Sequence, residues 1–155
     1  MPKPCLLLLG GGHVTRAVAK LCEMLEYPYV VLDDRPEFSK RGDFPGALDV
    51  VQTRGPAYLT RKDLPNFTHV IGLGYDAEFD LDALIPGLKL LPQANFGTIG
   101  SRAKFAKMTE IAAQRGAGDQ WARVKCPVGL AIGAQSPAEI AVAILAEVVG
   151  SHHVL

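Results

Sequence analysis

Apolar and polar positions along the chain follow two rhythms. Continuous apolar runs at Leu6–Leu9 and Tyr29–Leu32 have the length and uniformity of strands buried on both faces, and a helical pattern runs between them. Three further runs, Ala47–Val51, His69–Leu73 and Asn95–Ile99, read as strands. Residues 53–67 mix charge, Gly and Pro and predict a loop with one helical turn. A short helix is expected to start at Asp80 or Asp82 and to end at Pro86-Gly87, with a strand beginning at Leu88–Leu91 and interrupted by Pro92. Ser101–Arg115 carries Phe105, Met108, Ile111 and Ala112 at helical spacing, and Gly116 stops it. The last helix opens on Ser136-Pro137-Ala138-Glu139, a capping box with proline at the first helical position.

Strands alternating with helices, without repeats or linkers, predict an α/β fold. We expect a Rossmann-like, open, mostly parallel sheet with helices on both faces, a three-layer α/β/α arrangement forming a single domain over 1–155. A chain of 155 residues is long enough to bury roughly 70% of its unfolded surface in one core. Ile140–Val149 is apolar all round except Glu147, so that helix is expected to lie in the core or against a partner, and a homodimer is expected.

The first strand runs into Gly10, Gly11 and Gly12, and the second ends on Asp33, 23 residues after Gly10. This is the layout of a dinucleotide-binding βαβ unit, in which backbone approaches a pyrophosphate, a helix N-terminus receives it, and an acid takes ribose hydroxyls. In G-x-G-x-x-G terms the third glycine is replaced by Thr15. The ligand-facing residues expected here are Gly10, Gly11, Gly12, His13 and Val14, with Asp33, Asp34 and Arg35 at the end of the second strand. Asp33 would favour NAD, whereas Arg35 can meet the 2′-phosphate of NADP.

A second glycine turn, Gly100-Ser101, opens the Ser101–Arg115 helix, with Arg102 and Lys104 in its first turn. The helix dipole disfavours cations there, so they are either solvated surface charge or the mark of an anion bound between them and the free N–H groups; on the second reading Gly100, Ser101, Arg102 and Lys104 form the other half of the expected site. The third glycine loop, Cys126 to Ser136, places Gly129 and Gly133 where backbone would pack against a ligand or a neighbouring strand. Cys126 has no identifiable base nearby and reads as a small buried thiol. His69 and the tail residues His152-His153 read as structural, and Asp76, Asp80 and Asp82 as acids that suit a helix start. No metal site is expected, and the sequence identifies no catalytic group.

Lys and Arg number 16, as do Asp and Glu, so no basic field exists to hold nucleic acid or an anionic membrane. The apolar N-terminal stretch is too short for a signal peptide, and the three separated cysteines (Cys5, Cys22 and Cys126) predict a reducing, cytoplasmic setting.

Taken together, GGGHV at 10–14, VLDDRPEF at 31–38, FPGA at 44–47, IGSRAK at 99–104 and CPVGLAIGAQSPAEIAVAILAEVV at 126–149 resemble the C-terminal Rossmann-type domain of the xanthine dehydrogenase accessory protein (XdhC/CoxI) family. The last segment is the most specific, since generic dehydrogenases lack it. The resemblance implies a chaperone that binds the molybdenum cofactor, as molybdopterin or its dinucleotide form. With a cysteine desulfurase it would help the cofactor acquire its terminal sulfur, then deliver it to a molybdenum hydroxylase client. Family members usually carry a second, cysteine-bearing N-terminal domain, which residues 1–155 do not include. Relatives often have a histidine–aspartate stretch where this chain has Gly74-Tyr75-Asp76. The alternatives from the residues themselves are a small NAD(P)-binding oxidoreductase and a nucleotide-sensing module.

Overall fold

A computed structural model describes residues 3–153; the first two and last two residues of the expected domain lie outside it. Six parallel strands form one sheet in the order β3-β2-β1-β4-β5-β6. They are β1 (Leu6–Leu9), β2 (Tyr29–Asp33), β3 (Asp49–Gln52), β4 (His69–Gly72), β5 (Asn95–Thr98) and β6 (Val124–Lys125). The helices are α1 (His13–Leu25), α2 (Gly55–Leu59), α3 (Ala77–Leu90), α4 (Arg102–Gln114), α5 (Gly118–Trp121) and α6 (Pro137–His152). Short 3₁₀ turns occupy Pro36–Phe38 and Arg41–Asp43.

The pleat of β1 sorts the core. Leu6 and Leu8 point into a layer with Val18 and Cys22 of α1 and Ala141, Ile144 and Val148 of α6. Leu7 and Leu9 point to the other layer, where Leu81, Leu84 and Leu88 of α3, Met108 of α4 and Trp121 of α5 pack. The expected three layers and parallel sheet are therefore present. The order reverses between β1 and β4, which puts the crevice of such a sheet beyond the carboxyl ends of these two strands.

Three elements depart from the sequence reading. The third helix starts earlier than expected, with the Asp76 carboxylate accepting the Phe79 N–H at 2.8 Å, and it runs through Pro86 to Leu90. No strand forms at Leu88–Leu91; Leu88 is helical and fully buried. Proline removes one helical hydrogen bond, but Leu81, Leu84 and Leu88 all lie on the buried face and keep the helix continuous across it. The strand expected at Ala47–Val51 lies at Asp49–Gln52, and α6 takes in His152, the first of the two tail histidines.

At the start of α6 the capping box is complete. Ser136 Oγ accepts the Glu139 N–H at 3.1 Å, and Glu139 Oε1 accepts the Ser136 N–H at 3.1 Å. Ser136→Ala is expected to cost about 1 kcal/mol, read as a fall of roughly 2–4 °C in the thermal midpoint. An unchanged midpoint would show that the cap does not contribute. Glu147, the lone acid in the apolar run of α6, accepts from Lys125 Nζ and from the Gly129 N–H, the latter at 3.2 Å. It ties the β6–α6 loop to the helix. No helix among the described residues is long and apolar enough to cross a membrane.

Candidate functional site

The glycine turn after β1 is shaped by its neighbours. Gly10 adopts φ +99°, and a Cβ there would stand 2.7 Å from both Gly74 Cα and Leu73 O, so the β1 and β4 loops touch across the crevice. The Gly11 N–H donates to Asp33 Oδ2 at 2.9 Å. Gly12 caps α1 without a side-chain partner, and the N–H groups of Gly12, His13, Val14 and Thr15 have no hydrogen bond among the described residues. With the positive end of the helix dipole behind them, these are unused donors for an anion. The His13 side chain is exposed, whereas Thr15, in the third glycine position, is fully buried, and its hydroxyl has no partner among the described residues.

At the end of β2 Asp33 is engaged by groups of its own chain. Asp33 is fully buried. Its Oδ1 accepts from Arg35 N and Nε, each at 3.0 Å, and Oδ2 accepts from Arg35 Nη2 at 3.0 Å as well as from Gly11. The Arg35 guanidinium lies 3.9 Å from the Phe38 ring centroid and 4.2 Å from that of Tyr75. The bond to Asp33 holds Arg35 above its usual pKa. Asp34 accepts from Arg54 Nη1 at 2.7 Å and from the Tyr75 hydroxyl at 3.1 Å, and Arg54 also bonds Asp82. Both acids are thus committed to arginines of this chain.

The α4 side is organised by Ser101, whose Oγ accepts the Lys104 N–H at 3.1 Å. The aliphatic stem of Lys104 runs along Gly100, where a Cβ would meet Lys104 Cδ at 3.0 Å. The charged ends of Arg102 and Lys104 have no ion pair or hydrogen bond among the described residues. Cys126 Sγ points to Gly100 O at 3.7 Å; burial pushes its thiol up and Lys104 opposes that, so the protonated thiol prevails at neutral pH. In the third loop Gly129 packs against the α6 backbone, with a Cβ there 3.0 Å from Ala143 C and Ile144 N, while nothing lies within 4 Å of a Cβ at Gly133.

One residue of the rim is more than the helix-starting acid that its position suggests. Asp80 is fully buried beneath the β4 loop. Its Oδ1 accepts the Gly74 N–H at 2.9 Å, while Oδ2 has no partner among the described residues. Burial raises its pKa to about 7, against the opposing effects of Lys104 and the Gly74 N–H. The available signal was its spacing: Asp80 shares a helical face with the buried Leu84 and Leu88. His69 is buried between Thr68 and Ser151 hydroxyls, at 2.8 Å from each, and serves the core. No group of three His, Cys, Asp or Glu residues suited to a metal ion occurs among the described residues.

A parallel sheet in this order, with a glycine turn at the switch point and free N–H groups heading α1, defines a Rossmann-type domain. The chain belongs to the XdhC Rossmann domain family, whose sequence profile matches residues 6–148. Protein YqeB of Escherichia coli (strain K12) is 33% identical over 150 residues, spanning 94% of this chain and 27% of the relative. A probable xanthine dehydrogenase subunit of Bacillus subtilis (strain 168) is 28% identical over 148 residues, spanning 96% of this chain and 43% of the relative. A crystal structure of a xanthine dehydrogenase from Bacillus halodurans shares the fold, with a TM-score of 0.79 and 24% identity over 98% of this chain and 44% of that one. The chain therefore spans less than half the length of each of these relatives.

Proposed function

We propose that this chain is an accessory domain for a xanthine dehydrogenase-type molybdenum hydroxylase, and that it holds the molybdenum cofactor by its phosphate at the carboxyl rim of the sheet. The observation that carries this reading is the occurrence, on one rim, of unused donors at the start of α1 and of cations at the start of α4 whose charged ends form no ion pair or hydrogen bond among the described residues. A phosphate suits both. Membership of the XdhC family supplies the connection to the hydroxylase.

The residues fit the cofactor's phosphate better than they fit sulfur chemistry. Gly12, His13, Val14, Arg102 and Lys104 would hold the anion, with Ser101 fixing the first turn of α4. Cys126 keeps its proton, and Cys5 and Cys22 are buried with thiols raised to about 11 and about 12. Raised thiols of this kind do not favour a sulfur nucleophile, and this reading assigns sulfuration to a separate cysteine desulfurase. The cofactor supplies redox chemistry to the client once transferred; this chain binds, orients and screens it.

Native mass spectrometry of the chain offered molybdenum cofactor, NADH and NADPH at equal concentration tests the reading. A retained pterin mass is expected. Arg102→Ala with Lys104→Ala is expected to weaken retention at least about tenfold, since each charge-assisted hydrogen bond contributes roughly 1.5–3 kcal/mol. A retained nicotinamide mass alone would replace this reading with an NAD(P)-dependent oxidoreductase or a nucleotide sensor.

A further inference from the structure

We propose that Arg35 is a specificity-determining residue that fills the nucleoside half of the crevice and restricts the site to a heterocycle bearing a single phosphate monoester. The inference rests on reading the rim as a site for a phosphate-bearing cofactor. In a dinucleotide site the carboxylate ending β2 accepts the ribose hydroxyls. Here Asp33 already accepts four N–H groups, three from Arg35 and one from Gly11. An ionised carboxylate offers about four lone-pair sites, so none is left for a sugar.

The space above the acid is filled as well. The Arg35 guanidinium is held between the rings of Phe38 and Tyr75, and Tyr75 is itself fixed by its hydroxyl on Asp34. The Phe38 carbonyl presses on Gly11, so the turn that carries this ring sits directly on the glycine loop. Admitting a ribose would mean breaking the buried side of an ion pair and unstacking a cation from two aromatic faces. Open volume lies elsewhere. A groove of about 600 Å³ runs past His13, Lys20, Ser136 and Val142, and another of about 540 Å³ lies among Gly100, Cys126, Ile132 and Ile140. Each is within the size range of a small-molecule site. A phosphate at the start of α1 can therefore leave its heterocycle on the α6 side of the rim, away from Asp33.

NADH and reduced nicotinamide mononucleotide carry the same fluorescent ring and differ by the adenosine monophosphate half. Titrating each into the wild type, Arg35→Ala and Tyr75→Ala isolates the contribution of that half. The wild type is expected to bind NADH no more tightly than the mononucleotide. Either variant is expected to shift the ratio toward NADH at least about tenfold, equivalent to about 1.4 kcal/mol. The exposed Tyr75 provides a second opening of the stack should Arg35→Ala fail to fold. Tenfold tighter NADH binding by the wild type would overturn the proposal. So would a ratio left unchanged in the folded variants, including the case in which no probe binds. Failure of the accessory reading is separate: it is read from pterin retention, which these titrations do not use.

Discussion

Gly11→Ala is expected to destabilise the domain by about 3 kcal/mol or more, a loss larger than overpacking alone produces. The added Cβ would lie 1.9 Å from the Phe38 carbonyl oxygen and 3.1 Å from its carbon, which are backbone atoms and not the end of a flexible side chain. Relief requires the Pro36–Phe38 turn to lift, and that turn carries Phe38 off the Arg35 guanidinium. Any shift of Gly11 itself breaks its hydrogen bond to the buried Asp33 carboxylate. Gly12→Ala is the matched control, because a Cβ there meets nothing within 4 Å. It is expected to stay within about 1 kcal/mol of the wild type. Thermal unfolding followed by circular dichroism separates the two; equal midpoints would mean that the turn yields freely.

Asp80→Asn is expected to make the domain more stable above neutral pH and to remove part of its pH dependence. Burial raises the Asp80 carboxyl from 3.8 to about 7, whereas in the unfolded chain it titrates in the ordinary range. Between those values the folded state keeps a proton that the unfolded state has released. Stability contributed by this group is therefore complete at about pH 4, falls as pH rises toward about 7, and is level beyond it. A difference of that size corresponds to on the order of 4 kcal/mol. Asparagine keeps an oxygen for the Gly74 N–H and cannot ionise. Urea unfolding of wild type and variant at about pH 4.5, 6 and 8 should show the variant gaining on the wild type as pH rises. Parallel curves would mean that Asp80 ionises without cost where it sits.

The elements that were legible in the sequence are those whose signals are local. β1, the glycine turn, α1 and β2 follow from apolar runs and glycines within a few residues of one another. α4 and α6 are announced by serine caps that the structure forms at Ser101 and Ser136. Pro86 misled because its cost is local while the compensating burial of Leu84 and Leu88 is tertiary. The surroundings of Asp33 were hidden for the same reason. Tyr75 reaches Arg35 from a distant part of the sequence, and the geometry that brings them together belongs to the β1–β4 switch point. Asp80 carried a periodic signal, yet only packing reveals that one of its oxygens has no partner among the described residues.

The two margins of the sheet limit how the domain can associate. One margin is β3, four residues long, with Asp49 and Gln52 exposed at its ends. The other is β6, only two residues long and followed closely by Pro127, which has no N–H to offer an incoming strand. Short margins bearing charge and proline discourage strand addition. Growth of the sheet from one molecule into the next is thereby disfavoured at both ends, and protein contacts are directed to helix faces and the loop rim. The same arrangement protects a parallel sheet, with its exposed rows of peptide groups, from edge-to-edge aggregation.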